Sequence, residues 1–152
     1  SRGALRASAA LLDASGTAIG SAVLVEDRAG ILHLNVHVKG LAPGLHGIHL
    51  HAVGSCSPDF AAAGGHHNPL ARQHGLESAQ GAHAGDLPNL MVNDAGAGRL
   101  VGTTERATLS AGPTTLFDAD GSAIIIHASE DDQITDPTGN SGARAACGVI
   151  RK

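Results

Sequence analysis

Alternation of apolar and polar positions dominates the chain. Within residues 31–39, Leu32, Leu34, Val36 and Val38 alternate with His33, Asn35 and His37, so an extended backbone turns one set inward and the other outward. This predicts a half-buried strand. Residues 4–13 and 17–26 read as two more strands joined by Ala14-Ser15-Gly16, and Asp27-Arg28-Ala29-Gly30 forms the next turn. Gly40, Pro43 and Gly44 break the pattern before residues 46–53, read as a further strand. Strand signals return at 87–92, 99–109, 123–128 and 145–150, whereas helical spacing of apolar residues is hard to find. The predicted fold is all-β, an antiparallel sandwich or barrel of about eight strands.

Two stretches resist this reading. Residues 54–86 crowd Gly, Pro, Asn, Ser and His without any sustained period, and 129–142 form a second irregular loop. Loops beyond about 12 to 15 residues in compact domains are usually functional, so something other than a regular ladder has to hold them. Metal and disulfide are the candidates.

Composition narrows the function classes. A chain of 152 residues with 42% hydrophobic residues suits one domain, 1–152, with its own core. The 21 glycines are about twice the usual share of roughly 7%, which implies many tight turns. Net charge is -4, with two Phe and no Trp or Tyr, so there is neither a basic groove nor a stacking platform for nucleic acid. No run of about 18 apolar residues predicts a transmembrane segment. The sequence starts at Ser1 with neither Met nor a leader pattern, the form expected of a mature exported chain.

Ten histidines call for a cause, since imidazole is the commonest metal ligand. His49 and His51 lie two apart on a predicted strand, which puts both rings on one face. They are a metal-gripping pair or solvent-facing strand residues. His66, His74, His83 and Asp86 share the irregular loop, and three imidazoles with a carboxylate complete the tetrahedral shell that structural zinc prefers. A metal there would also replace the missing ladder with ligand bonds. The alternative is a polar surface loop. His127 ends the apolar run 123–126 and is either a ligand or a partly buried core residue.

Three motifs carry a resemblance. G-x-H-G-x-H-x-H at 44–51, G-G-H-x-N-P at 64–69 and G-N-S-G-x-R-x-A-C-G at 139–148 are similar to the copper/zinc superoxide dismutases, in the family's order and from the first hairpin to Val149. The resemblance implies an eight-stranded Greek-key barrel with two long functional loops. It implies copper held by His49, His51, His66 and His127, and zinc held by His66, His74, His83 and Asp86, with His66 shared between them. His46 would hydrogen-bond backbone, and Asp131 would link His49 to His74, against the plainer reading of Asp131 as a solvated loop acid. Cys56 and Cys147 would form the disulfide, free buried thiols being the alternative. Arg144 would attract the superoxide anion, with Thr138 narrowing the channel opposite, and a surface arginine is the plainer reading.

The implied activity is dismutation of superoxide to dioxygen and hydrogen peroxide by a redox-cycling copper, with zinc structural and His66 delivering a proton. The alternative is a non-enzymatic copper/zinc-binding or copper-delivery module of the same fold. Spacings between His51, Cys56 and His66 resemble bacterial exported forms, so the expected location is extracytoplasmic (periplasmic, secreted or envelope-anchored), and a homodimer is an open expectation. Residues 129–137 contain Glu130, Asp131, Asp132 and Asp136 and no lysine, which departs from several eukaryotic members and weakens long-range steering. His33, His37 and His67 have no metal role in the family and are read as exposed or structural.

Overall fold

The computed structural model describes residues 4–152. Its strands are β1 Leu5–Asp13, β2 Ala18–Glu26, β3 Leu32–Val38, β4 Gly44–His46, β5 Ile48–His51, β6 Leu90–Val92, β7 Gly98–Thr104, β8 Ala123–His127 and β9 Arg144–Val149. The one 3-10 turn among the described residues, Phe60–Ala63, lies inside the first long loop. All strand pairs are antiparallel, in the order β4-β6-β7-β3-β2-β1-β9-β8-β5. The two outermost strands, β4 and β5, are consecutive in the chain, so the sheet rolls into a nearly closed barrel. Its connections from β3 to β4 and from β7 to β8 join strands that are not neighbours, which makes it a Greek key.

Among the described residues nine strands replace the expected eight, because residues 46–53 do not form one strand. Gly47 separates β4, which pairs with β6, from β5, which pairs with β8. A side chain at Gly47 would run into Ser141 and Asp131, so the chain can change partners there only without a Cβ. The strand expected to reach residue 109 stops at Thr104, beyond which the chain leaves the sheet.

Alternation decides what is buried. β3 reads buried and exposed in strict turn. Its Leu32, Leu34, Val36 and Val38 join Leu11, Leu24, Leu50, Leu90, Ile124 and Ile126 in the main core. β8 is buried throughout: Ile124 and Ile126 face the barrel, while Ile125 packs outward against Ala63, Cys147, Cys56 and Phe60. Burying each such isoleucine or leucine contributes about 1.5–3 kcal/mol. The outward cluster matters for function because it seats the first long loop against the strand that ends in His127. Among the described residues, no helix is long and apolar enough to cross a membrane.

Candidate metal centre

β5 carries His49 and His51 and pairs with β8 along Ile48–His51, while His127 closes β8. The other edge of β5 is covered by the first long loop. Leu50 N donates to the Gly85 carbonyl at 2.9 Å, Ala52 N to Gly65 at 2.8 Å, and His67 N to Leu50 at 2.8 Å. Single bridges set His49 beside Asp86 and His51 beside His66. A Cβ at Gly85 would collide with the Leu50 carbonyl, so the glycine is what permits this close approach. The loop is irregular because it borrows a strand edge piecemeal, and that docking delivers its histidines to the pair on β5.

His49, His51, His66 and His127 each place one nitrogen within 4.8 Å of the others. His49 Nδ1, His51 Nε2, His66 Nε2 and His127 Nε2 are buried without a hydrogen-bond partner. The opposite nitrogens are engaged: His49 Nε2 with Asp131 Oδ2 at 2.7 Å, His51 Nδ1 with the Gly64 carbonyl at 2.8 Å, and His127 Nδ1 with the Gly142 carbonyl at 3.0 Å. Carboxylate and carbonyl oxygens only accept, so the ring protons reside on the engaged nitrogens. The convergent nitrogens present lone pairs. Burial drives the rings toward the neutral form, pushing His49 down to about 3, His51 to about 2 and His127 to about 4. Neutral imidazole lone pairs gathered in a buried space suit a nitrogen-preferring transition metal.

A second set forms on the far side of His66. Its Nδ1 lies 2.9 Å from His83 Nδ1 and 3.1 Å from Asp86 Oδ1. Asp86 Oδ1 is 2.9 Å from His74 Nδ1 and 3.3 Å from His83 Nδ1. Tetrahedral zinc with bonds near 2.0 Å separates its ligand atoms by about 3.3 Å, so these spacings suit that ion. By proximity alone His49 also groups with His66, His74 and Asp86. We assign it to the first set, because its Nε2 is committed to Asp131 and its Nδ1 is the orphan there. Burial works against the Asp86 charge, but hydrogen bonds from His66, His74 and His83 outweigh it and hold the carboxyl well below its usual range. Burial lowers His66 overall, against the pull of Asp86.

Asp131 sits between the sets. It is 1% exposed and accepts from His49 Nε2 at 2.7 Å and from His74 Nε2 at 2.8 Å. Burial opposes its ionisation, yet these bonds keep the carboxyl far below the ordinary value. Burial alone would lower His74, but Asp131 and Asp86 raise it to about 9, so without metal this ring carries a proton between two carboxylates.

Sequence reasoning missed the groups that hold Asp131. Asn89 grips its backbone from both sides, Oδ1 accepting from Asp131 N at 2.8 Å and Nδ2 donating to its carbonyl at 2.9 Å. Gln133 N donates to Oδ1 at 2.7 Å. Gly139, at φ 66°, passes so close that any Cβ would strike the carboxylate. Asp136 accepts from His74 N at 2.8 Å. An isolated Asn, Gln or Gly carries no periodic or spacing signal, so nothing in the chain marks these roles. The acidic loop is also less free than its composition suggests, for Asp132 accepts from Ile134 N, Thr135 N and Thr135 Oγ1 as a local cap.

Arg144 is half-buried at the start of β9, opposite His127 in register, and its Nη1 donates to the Phe60 carbonyl at 2.7 Å. Thr138 is half-buried in the second loop, its carbonyl accepting from Ser141 Oγ at 2.8 Å. Cys56 and Cys147 form a disulfide across 91 positions. His46 spans two carbonyls, His127 and Ala42, at 2.7 Å each. His33 is exposed and paired with Asp27, His37 is exposed on β3, and His67 is buried against the Thr114 carbonyl.

Residues 18–150 match the family described as copper/zinc superoxide dismutase (SODC). Superoxide dismutase (Cu-Zn) 2 of Aquifex aeolicus is 42% identical over 150 residues, covering 97% of this chain and 87% of that protein. Superoxide dismutase (Cu-Zn) of Caulobacter vibrioides is 40% identical over 149 residues, covering 95% and 85%. Among solved structures, a SOD-like protein from Bacillus subtilis superposes with a TM-score of 0.89 at 39% identity, covering 93% of this chain and 96% of that one.

Proposed function

The chain belongs to the copper/zinc superoxide dismutase family, an oxidoreductase family that uses copper and zinc, and from that premise we propose that it dismutes superoxide as one domain through a histidine-bridged pair of these metals. Copper would be held by His49, His51, His66 and His127, and zinc by His66, His74, His83 and Asp86. The observation that carries this reading is the division of labour within one ring: His66 Nε2 is an orphan among the first set, while His66 Nδ1 touches the second. Such a ring could serve both sets at once, one nitrogen toward each.

Bound copper supplies one-electron redox chemistry while redox-inert zinc supplies fixed positive charge, so that two superoxides and two protons yield one dioxygen and one hydrogen peroxide. His66 would hold a proton at Nε2 only while that nitrogen is not ligating copper, and would pass it to the superoxide being reduced, the second proton coming from solvent. Asp131 holds the tautomers of His49 and His74 and couples their orientations. Net charge -4 repels an anion, so a local cation is required, and Arg144 provides it beside His127. Thr138 would narrow the approach to Arg144, as the family resemblance implies. The Cys56–Cys147 bond and the bacterial relatives support an extracytoplasmic location.

Superoxide consumption by the metal-loaded protein, compared with His127→Ala and Arg144→Ala, tests the assignment together with elemental analysis. We expect one copper and one zinc per chain, near-complete loss of activity in the first variant and a large drop in the second. Variants that match the parent, or zinc alone in the loaded protein, would refute it.

A further inference from the structure

Arg144 lies opposite His127 in the β8–β9 register, beside the first histidine set. Its anchor is the Phe60 carbonyl, which accepts from Nη1 at 2.7 Å. Phe60 opens the 3-10 turn Phe60–Ala63, and a carbonyl stays aimed only while the turn that carries it keeps its shape. Asp59 secures that shape. From an extended backbone (φ -144°, ψ 179°) its Oδ1 accepts from Ala61 N at 3.1 Å, and its own carbonyl accepts from Ala62 N at 3.1 Å. Ala63 and Phe60 pack beneath against Ile125 and Cys147. The disulfide fastens the same segment to β9, the strand that Arg144 begins.

Asp59 also lines the groove that Arg144 borders, so its charge acts on the guanidinium. Burial lowers the guanidinium, and the Asp59 carboxylate is the acid that opposes this. On this side Arg144 borders an open groove of about 560 Å³ lined by Asp13, Pro58, Asp59 and Phe60. A head group released from the Phe60 carbonyl therefore has room to swing into that groove.

We propose that Asp59 is a positioning residue for Arg144: it caps the turn that aims the Phe60 carbonyl at the guanidinium, and its negative charge limits the pull of that guanidinium on anions. This rests on the reading of Arg144 as the cation that holds superoxide. The two roles are separable, because asparagine keeps the capping oxygen and loses the charge, while alanine loses both.

The test uses the metal-loaded protein and its Asp59→Asn and Asp59→Ala variants. Azide is titrated against the visible copper spectrum, and Arg144 modification by phenylglyoxal is timed by peptide mass mapping. In Asp59→Asn, azide affinity rises about two- to fivefold, the range for one exposed charge interaction, and the modification rate stays at the parental value. In Asp59→Ala, modification speeds up about fivefold as the turn opens, and azide binds more weakly than in Asp59→Asn. Parental values in both variants, or the same change in both, overturn the proposal. If Asp59→Ala fails to fold, Asp59→Asn decides alone: unchanged azide affinity overturns, and a rise with unaltered modification supports. An active parent with unaltered variants removes only this inference, whereas an inactive parent removes the dismutase reading and the inference with it.

Discussion

Replacing Asp131 by asparagine separates the geometry of the site from its electrostatics. The carboxylate accepts from His49 Nε2 at 2.7 Å, from His74 Nε2 at 2.8 Å and from Gln133 N at 2.7 Å, so every strong contact asks it to accept. An asparagine amide has one accepting oxygen, and its NH2 group would face a ring N–H. Whichever histidine meets the nitrogen is left with a buried, unsatisfied donor, at about 1–3 kcal/mol. His74 is the more exposed to this loss, since it relies on Asp131 to keep Nδ1 free to ligate. Losing an orienting partner behind a metal ligand typically lowers affinity 10- to 100-fold, or about 1.4–2.7 kcal/mol. We expect zinc affinity to fall by that factor while the barrel stays folded, because Asp131 lies outside the main core. Competition against a chromophoric chelator measures it, with circular dichroism as the fold control. Zinc affinity within twofold of the parent would show that Asn89, Gln133 and Gly139 orient the histidines without the carboxylate, and the account of Asp131 would be wrong. A linked effect has a defined sign. In the metal-free protein His74 is raised to about 9, so its stabilising contribution is complete below about 6.5 and lost as pH rises through 9. Asp131→Asn should flatten that alkaline loss, as read by urea midpoints between pH 6 and pH 10.

Three other outcomes are expected. Glu26 is buried and accepts from Leu109 N, Ser110 N and Ser110 Oγ; burial opposes its charge, but these bonds leave its carboxyl below the ordinary 4.5. Its contribution is therefore present above about 4.5 and fades as pH falls through the depressed value, so Glu26→Ala should cost about 2–4 kcal/mol at pH 7 and less once the pH lies below that value, by urea unfolding, and a cost that does not fall in acid would contradict this. Replacing both Cys56 and Cys147 by serine removes a closure spanning 91 positions and should lower stability by about 4–5 kcal/mol in the chain-entropy picture, an unchanged denaturant midpoint being the adverse result. Gly139→Ala forces a Cβ onto the Asp131 carboxylate at φ 66°, so zinc affinity should drop at least tenfold by chelator competition, while parental affinity would mean the second loop yields at no cost.

The strands were largely legible because a half-buried sheet writes its period into the chain. The alternation of Leu32, Leu34, Val36 and Val38 is the burial pattern of β3 itself. The division of residues 46–53 was not legible: it depends on how closely Ser141 and Asp131, far along the chain, approach Gly47. The candidate ligands were visible as residue types in motifs, since few other roles need so many imidazoles. The supports behind them, Asn89 and Gln133 on Asp131, were not, because a single polar side chain looks the same whether it faces water or clamps a distant loop.

Read alone, the chain determined an all-β fold, two loops that no ladder could hold, and a roster of histidines suited to metal, because periodicity and residue chemistry are local properties. The tertiary structure decided which nitrogen of each ring faces inward, that one carboxylate serves two histidines, and that the carbonyl of a capped turn accepts from an arginine. Each of those depends on an acceptor from another part of the chain, 82 positions away for His49 and Asp131 and 84 for Phe60 and Arg144, and a hydrogen bond between such groups exists only once the barrel has closed.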